Sequence, residues 1–380
     1  MKSASRPHLM FVVNTDWFFL SHRLPLAQEA VRRGWRVTLA APDTGRGDEV
    51  REHGLEMVDL PLSRSGTNPV RELGAVRHLA GLYRQLRPNL IHHVTPKPVV
   101  YGSLAARAVP RIPVVNAVSG LGYAFIGKAW WHPLPWAVRR LYALALGRSR
   151  STAIFQNDDD LHHLAGAGLV DGDRAVLIRG SGVDVERFAA TAEPEGVPVV
   201  VLPARLLRDK GVAEFVEAAR ALHRRGVEAR FVLVGTLDPG NPAGVDRETV
   251  EGWVASGAVE WWGYREDMPE VYRQATVVAL PSYREGLPKA LLEAGASART
   301  LVTTDVPGCR DVVTDAQTGL LVPARDAGAL ADAIARALRD PTLRERLRTN
   351  ARANVAAHHA VEHIVAAHFA LYERLIAEAA

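Results

Sequence analysis

Apolar and polar positions along the chain follow two alternating periods. Leu9–Val13 is an uninterrupted apolar run closed by Asn14, the pattern of a buried strand. Beyond it, Leu24, Ala27 and Val31 recur at helical spacing, and Arg36–Ala40 reads as the next strand, stopped by Pro42. Asn89–His93 and Pro113–Val118 read as further strands, with helical stretches near 70–87 and 98–109 between them. Strands separated by helices of this length predict βαβ units and a parallel sheet. The second half restarts the same grammar, with strands at Val197–Leu202, Ala229–Val234, Val259–Trp262, Thr276–Leu280 and Thr300–Thr304, and a helix from Val212 to Arg224. Thr191–Gly196 is rich in Gly, Pro and small residues and marks a joint near 181–196. The expected fold class is therefore α/β, two doubly wound halves. The tail, Val361–Ala377, is an amphipathic helix with Val361, Ile364, Val365, His368, Tyr372, Leu375 and Ile376 on one face. No repeat of 20–50 residues is visible.

Composition narrows the class. A length of 380 residues suits two domains. Hydrophobic residues make up 48% and charged residues 23%, which excludes a disordered, collagen-like or coiled-coil protein as the main architecture. The single cysteine, Cys309, forms no intramolecular disulfide, and a reducing cytosolic compartment is the simplest expectation. The apolar run at the N-terminus is short for a signal peptide, and no run of about 18 apolar residues predicts a membrane span. The net charge of +4 is uneven: residues 1–190 carry 24 Lys and Arg against 16 Asp and Glu, and residues 191–380 carry 22 against 26. A basic first half suits an anionic surface or an acidic substrate.

Several familiar signals fail. Gly122–Lys128 nearly matches a phosphate-binding loop, but Ala129 stands where Ser or Thr would hold magnesium. No Gly-x-Gly-x-x-Gly follows the first strand. Asp158–Asp160 has Asp-x-Asp spacing, yet reads better as the acidic first turn of a helix capped by Asn157 or Asp158. His359 and His363 lie four apart on the expected terminal helix without a third ligand. No metal site and no cofactor is expected.

Two segments carry chemistry. Arg205 and Lys210 follow the second half's first strand and precede a helix, the edge where ligands bind in a doubly wound sheet. An Arg and a Lys there suit an anion. Pro281–Glu293 again joins strand to helix. Pro288 fits a helix start, Gly286 permits close approach to a ligand, and free helix N–H groups suit a phosphate. Glu293 lies roughly 7.5 Å further along the axis, about the span from a phosphate to a ribose diol. Glu285 sits in the loop ahead.

With Arg205-x4-Lys210 and Glu285-x7-Glu293 each placed after a strand, the chain resembles the family 4 glycosyltransferases. Gly182-Val183-Asp184 with Phe188, Trp262-Gly263-Tyr264 through Met268 and Tyr272, Gly308–Val313 and Thr318–Val322 resemble further segments of that family in order. The resemblance implies the GT-B fold: two Rossmann-like domains facing across a cleft, residues 1–180 with the helix 358–380 binding acceptor and residues 181–357 binding donor. It implies a retaining enzyme that transfers a hexose or N-acetylhexosamine from a nucleotide diphosphate sugar, UDP-linked by preference, and needs no metal. Arg205 and Lys210 would hold the diphosphate and Glu293 the ribose. Glu285 would meet the transferred sugar, together with the backbone of Gly286 and Leu287. The base would lie against Gly263, Tyr264 and Arg265. Two departures stand out: Thr15–Phe18 replaces the usual glycine pair of the first βα loop, and Ala298-Arg299-Thr300 replaces a Gly-x-Pro turn.

Phe19–Arg23, His92–Pro98 and Ser119–Tyr123 resemble a bacterial subset that extends sugars on an undecaprenyl-diphosphate carrier, α-1,3-N-acetylgalactosaminyltransferases among them. That resemblance places His22, Arg23, His93, Lys97, Gly122 and Tyr123 on the acceptor side, with His93 orienting groups near the reacting sugar and Lys97 binding acceptor phosphate. The expected partners are the donor, a lipid-linked sugar acceptor and the inner face of the cell membrane, with no nucleic acid. Lys128, Trp130, Trp131, Trp136, Arg139, Arg140, Tyr142, Arg148 and Arg150 within residues 123–150 suit a membrane interface. Two other readings are a sugar-nucleotide 2-epimerase of the same fold and a single-stranded nucleic-acid binder built on the basic, aromatic first half. Glu285-x7-Glu293 discriminates against both.

Overall fold

The computed structural model describes residues 6–62, 69–119, 133–147 and 150–380, with backbone alone at 69–70 and 133–139. The chain divides into two units, residues 1–181 with 364–380, and residues 182–363.

Among the described residues, unit 1 forms a parallel sheet from β1 (His8–Val12), β2 (Arg36–Ala41), β3 (Glu56–Asp59), β4 (Leu90–Val94), β5 (Val114–Val118), β6 (Ser151–Phe155) and β7 (Ala175–Leu177), in the order 3-2-1-4-5-6-7. β1, β4, β5 and β6 are buried along their whole length, as strands covered on both faces must be. β1 shows why: Leu9, Phe11 and Val13 point to one face and Met10 and Val12 to the other, each into its own apolar cluster. The first helical stretch is two helices, α1 (Asp16–His22) and α2 (Leu24–Arg32), because Arg23 leaves helical geometry at φ −126°. α3 (Gly47–Glu52), α4 (Pro69–Leu86), α5 (Pro96–Ala105), α6 (Pro133–Leu146) and α7 (Asp158–Gly166) complete the crossovers.

Unit 2 repeats the arrangement with β8 (Val199–Pro203), β9 (Arg230–Val234), β10 (Glu260–Gly263), β11 (Val277–Leu280), β12 (Thr300–Thr304) and β13 (Leu320–Val322), parallel in the order 10-9-8-11-12-13. Its helices are α8 (Val212–Arg224), α9 (Arg247–Ala255), α10 (Met268–Arg273), α11 (Lys289–Ala296), α12 (Ala327–Arg339) and α13 (Pro341–His358). Asp246, Asp326 and Asp340 cap α9, α12 and α13 by accepting from the N–H groups of Thr249, Ala329 and Leu343. The segment 185–193 is stapled to this unit by arginines. Arg299 donates to the carbonyls of Thr191 and Ala192, Arg352 to those of Val185 and Phe188, and Arg344 pairs with Glu193.

The last helix, α14 (Val361–Ala379), returns to unit 1, where Ile364, Phe369, Leu371 and Tyr372 complete the core against Leu9, Phe11 and Phe19. His359 lies in the break between α13 and α14 rather than on a helix with His363, so the four-residue spacing puts no ligand pair on one face.

Candidate active site

In both sheets the connections reverse direction beside the first strand, between β1 and β4 in unit 1 and between β8 and β11 in unit 2. The carboxyl ends of such neighbouring strands diverge and leave room for a ligand. In unit 2 the two chemistry-bearing segments leave this point side by side. The segment after β8 closes in a short turn, Arg208–Lys210, and Gly211 starts α8 at φ 70°. A Cβ at Gly211 would stand 2.1 Å from the Pro281 carbonyl oxygen, so only glycine lets the two loops touch. Tyr283 N–H donates to the Asp209 carbonyl at 2.9 Å across the same contact.

The side chains meet there as well. Lys210 Nζ lies 2.5 Å from Glu285 Oε1, and Ser282 Oγ donates to that same oxygen at 2.7 Å. Arg205 Nη1 donates to Asp238 Oδ2 at 2.7 Å, with its side chain 38% exposed. Pro288 caps α11 rather than opening it. Glu293, on the second turn, is only 8% exposed; it accepts from the Tyr272 hydroxyl at 3.1 Å and pairs with Lys289 at 3.3 Å. Burial first, and Glu293 next, push the Tyr272 phenol well above its usual range, so it stays a donor. Gly286 and Leu287 are buried in the loop ahead of α11. Beneath the site Cys309 is fully buried, and burial with the neighbouring Glu285 pushes its thiol up to about 12. Gly263 ends β10, Tyr264 is 61% exposed, and Arg265 lies 6.0 Å over Trp262. A cavity of about 660 Å³ opens at the ends of β9 and β10, lined by Gly235, Thr236, Asn241, Arg247, Trp261 and Tyr264 among others.

Unit 1 departs from expectation. His93 is fully buried, with Nε2 2.9 Å from the Tyr83 hydroxyl and Nδ1 2.8 Å from Asn116 Oδ1, so it faces the core and lines no surface. Arg23 is 1% exposed beside Tyr372 and lines none either; burial lowers its pKa to about 10, which leaves it charged at neutral pH. His22 is half-buried and stacks on Phe18 at 4.1 Å. Lys97 is paired with Glu72 at 2.6 Å, so its charge is already balanced. Gly122 and Tyr123 lie outside the described residues, as do Lys128, Trp130, Trp131 and Arg148. The loop between His93 and Lys97 does hold one outlier. Thr95 takes φ 76° with ψ 158°, a region almost reserved for glycine, and its buried hydroxyl has no partner among the described residues. Asp158 pairs with Arg179 at 2.9 Å while Asn157 caps Asp160 N–H. No group of three or more metal-ligating side chains occurs among the described residues.

Three further residues, of which Asp238 lies in no segment read from the sequence, hold the side chains of the unit 2 site in place. Asp238, Ser282 and Tyr272 each hold one of the expected functional side chains. Within unit 1, by itself, the first βα loop is held by a carboxylate: Asp16 accepts from the N–H groups of Trp17, Thr44 and Arg46 and from the Thr44 hydroxyl, tying that loop to the one after β2.

The family description "glycosyl transferases group 1" matches residues 184–354, and "glycosyl transferase 4-like" matches residues 8–157. Over 352 residues the chain is 30% identical to the N,N'-diacetylbacillosaminyl-diphospho-undecaprenol alpha-1,3-N-acetylgalactosaminyltransferase of Campylobacter jejuni, covering 87% of this chain and 91% of that protein. The chain belongs to the group 1, family 4-like glycosyltransferases. A second relative of this glycosyltransferase, 20% identical over 323 residues and 81% of each chain, is the UDP-Gal:alpha-D-GlcNAc-diphosphoundecaprenol alpha-1,3-galactosyltransferase of Escherichia coli. The solved structure of Anabaena HepE with UDP and glucose superposes with a TM-score of 0.80 at 17% identity, covering 97% of this glycosyltransferase and all of that chain. At that identity the likeness establishes the GT-B fold and nothing finer.

Proposed function

We propose that this glycosyltransferase moves a hexose or N-acetylhexosamine from a UDP-linked donor to a sugar carried on a polyprenyl diphosphate, with retention of anomeric configuration. The observation that carries the reading is the Lys210–Glu285 pair at the switch point of unit 2, flanked by Arg205 and by the buried Glu293. Arg205 and Lys210 supply positive charge where a leaving diphosphate gains negative charge. Glu293, held by Tyr272, is an acceptor for the ribose hydroxyls. Glu285 serves the transferred sugar once the diphosphate draws Lys210 away, and the backbone of Gly286 and Leu287 lines the same place. The base lies against Gly263, Tyr264 and Arg265. In the reaction the anomeric carbon–oxygen bond breaks with its electron pair going to the diphosphate. The acceptor hydroxyl then bonds to that carbon, and its proton leaves on the departing diphosphate.

The acceptor class rests on the activities of the Campylobacter and Escherichia relatives, whose names give undecaprenyl-diphosphate-linked sugars as acceptors. His22 and Lys97 remain the acceptor-side candidates, next to the strained Thr95. Lys97 would exchange Glu72 for acceptor phosphate. A peripheral position on the inner membrane face fits α6, where Leu141 and Leu144 stand exposed beside Arg140. No helix among the described residues is long and apolar enough to cross a membrane.

Incubation with a panel of UDP-sugars and a polyprenyl-diphosphate-linked monosaccharide tests the whole reading. One UDP-sugar is expected to give a disaccharide product with the donor's anomeric configuration, read by NMR. Because Arg205 and Lys210 provide the charge that a metal ion would otherwise bring, turnover is expected to persist in EDTA. Transfer with inversion, or with no UDP-sugar at all, would overturn the proposal.

A further inference from the structure

The segment from Gly235 to Asp246, between β9 and α9, has no regular structure of its own and folds back on the turn that follows β8. Leu206 N–H donates to the Thr236 carbonyl at 2.9 Å, Arg208 N–H to Ala243 at 2.8 Å, and Val245 N–H to Leu206 at 2.9 Å. The Arg208 guanidinium adds bonds to the carbonyls of Pro242 and Gly244. At the crossing a Cβ on Gly235 would stand 1.9 Å from the Ala204 carbonyl oxygen, so the two loops run backbone against backbone. This lacing fixes the place of Asp238.

Asp238 is largely covered and accepts from one corner of the Arg205 guanidinium, Nη1, at 2.7 Å. A guanidinium is a rigid planar fork with five N–H donors, and two of them on one edge match two phosphate oxygens. Nε and Nη2 of Arg205 make no hydrogen bond to any described residue, although the side chain is more than a third exposed. The carboxylate therefore fixes the plane of the group and leaves its two-donor edge open.

We propose that Asp238 is a positioning residue for the donor diphosphate, holding Arg205 by Nη1 so that its Nε–Nη2 edge meets phosphate. This rests on the donor-site reading given above. Without Asp238 the guanidinium must be ordered by the ligand, at the ligand's expense. Asparagine at 238 keeps an acceptor oxygen in the same place.

Calorimetric titration of the full chain with UDP and with uridine tests the proposal. Asp238→Ala is expected to weaken UDP binding about tenfold, which is about 1.4 kcal/mol, and to leave uridine binding unchanged. Asp238→Asn should recover most of the loss. In an Arg205→Ala background, Asp238→Ala should cost nothing more, because its effect passes through Arg205. The proposal is overturned if Asp238→Ala binds UDP as wild type does, if it loses UDP and uridine alike, if Asn does not rescue, or if the loss survives in Arg205→Ala. Failure of the wild type to bind UDP would overturn the donor-site reading and this proposal together; tight wild-type binding untouched by Asp238→Ala would overturn this proposal alone.

Discussion

Glu293 is a carboxylate fixed before any ligand arrives, with Tyr272 donating to one oxygen and Lys289 pairing with the other. Glu293→Ala is expected to weaken UDP binding by about 1.5–3 kcal/mol, the worth of hydrogen bonds to a charged group, and Tyr272→Phe by less, both read by calorimetry. Asp16 yields a pH prediction. Burial works to raise its pKa, but the hydrogen bonds from Thr44, Trp17 and Arg46 together hold it below the ordinary carboxylate value. A group whose pKa is depressed by folding stabilises the protein above the unfolded pKa, and loses that contribution as pH falls through the folded one. Wild type should thus lose stability more steeply than Asp16→Asn in urea unfolding below about pH 4. Equal acid limbs would contradict the assignment. The place of Arg205, Lys210, Glu285 and Glu293 at the carboxyl edge of the second sheet was legible in the sequence, because their two segments each follow a strand and lead into a helix. Asp238 was not, since it reaches Arg205 across 33 residues from a loop with no periodicity. The burial of His93 was not legible, because the end of a strand looks alike from both faces in sequence, and here its ring lies between Tyr83 and Asn116.

At the scale of elements, α14 supplies part of the core of unit 1 from the far end of the chain. Phe369 is buried, Arg33 lies 4.1 Å over its ring, and the same Arg33 reaches Glu373 at 2.6 Å. Phe369→Ala is expected to cost about 3–5 kcal/mol in the unfolding of unit 1 while leaving UDP affinity intact, which thermal unfolding and calorimetry on the same sample would separate. The periodic pattern gave α14 and α8 almost to the residue, because each shows one apolar stripe over three or more turns. β7 and β13 escaped it, being three residues each, too short to display a period. β3 escaped for another reason: as an edge strand with half-exposed side chains, it lacks the apolar run that marks a central one. The break between α1 and α2 falls at Arg23, whose burial no charge pattern announces.

At the scale of the whole molecule, residues 182–363 form a unit whose two ends are bonded to each other. Val183 N–H donates to the His359 carbonyl and Val361 N–H to the Val183 carbonyl, each at 2.9 Å. Expressed alone, residues 182–363 are expected to fold cooperatively and to bind UDP as the full chain does. A fragment that is unfolded by circular dichroism, or folded yet indifferent to UDP when the full chain binds it, would contradict this expectation.

The return of α14 also sets an order of events during synthesis. Residues 1–181 leave the ribosome first, but Ile364, Phe369, Leu371 and Tyr372 of their core follow only after unit 2 has been made. At bacterial or eukaryotic elongation speeds of about 5–20 residues per second, those 182 residues take roughly 10–40 s. Throughout that interval the nascent first sheet carries an uncovered apolar face, so a chaperone that shelters such faces should be found on translating ribosomes and gone once the last helix has emerged.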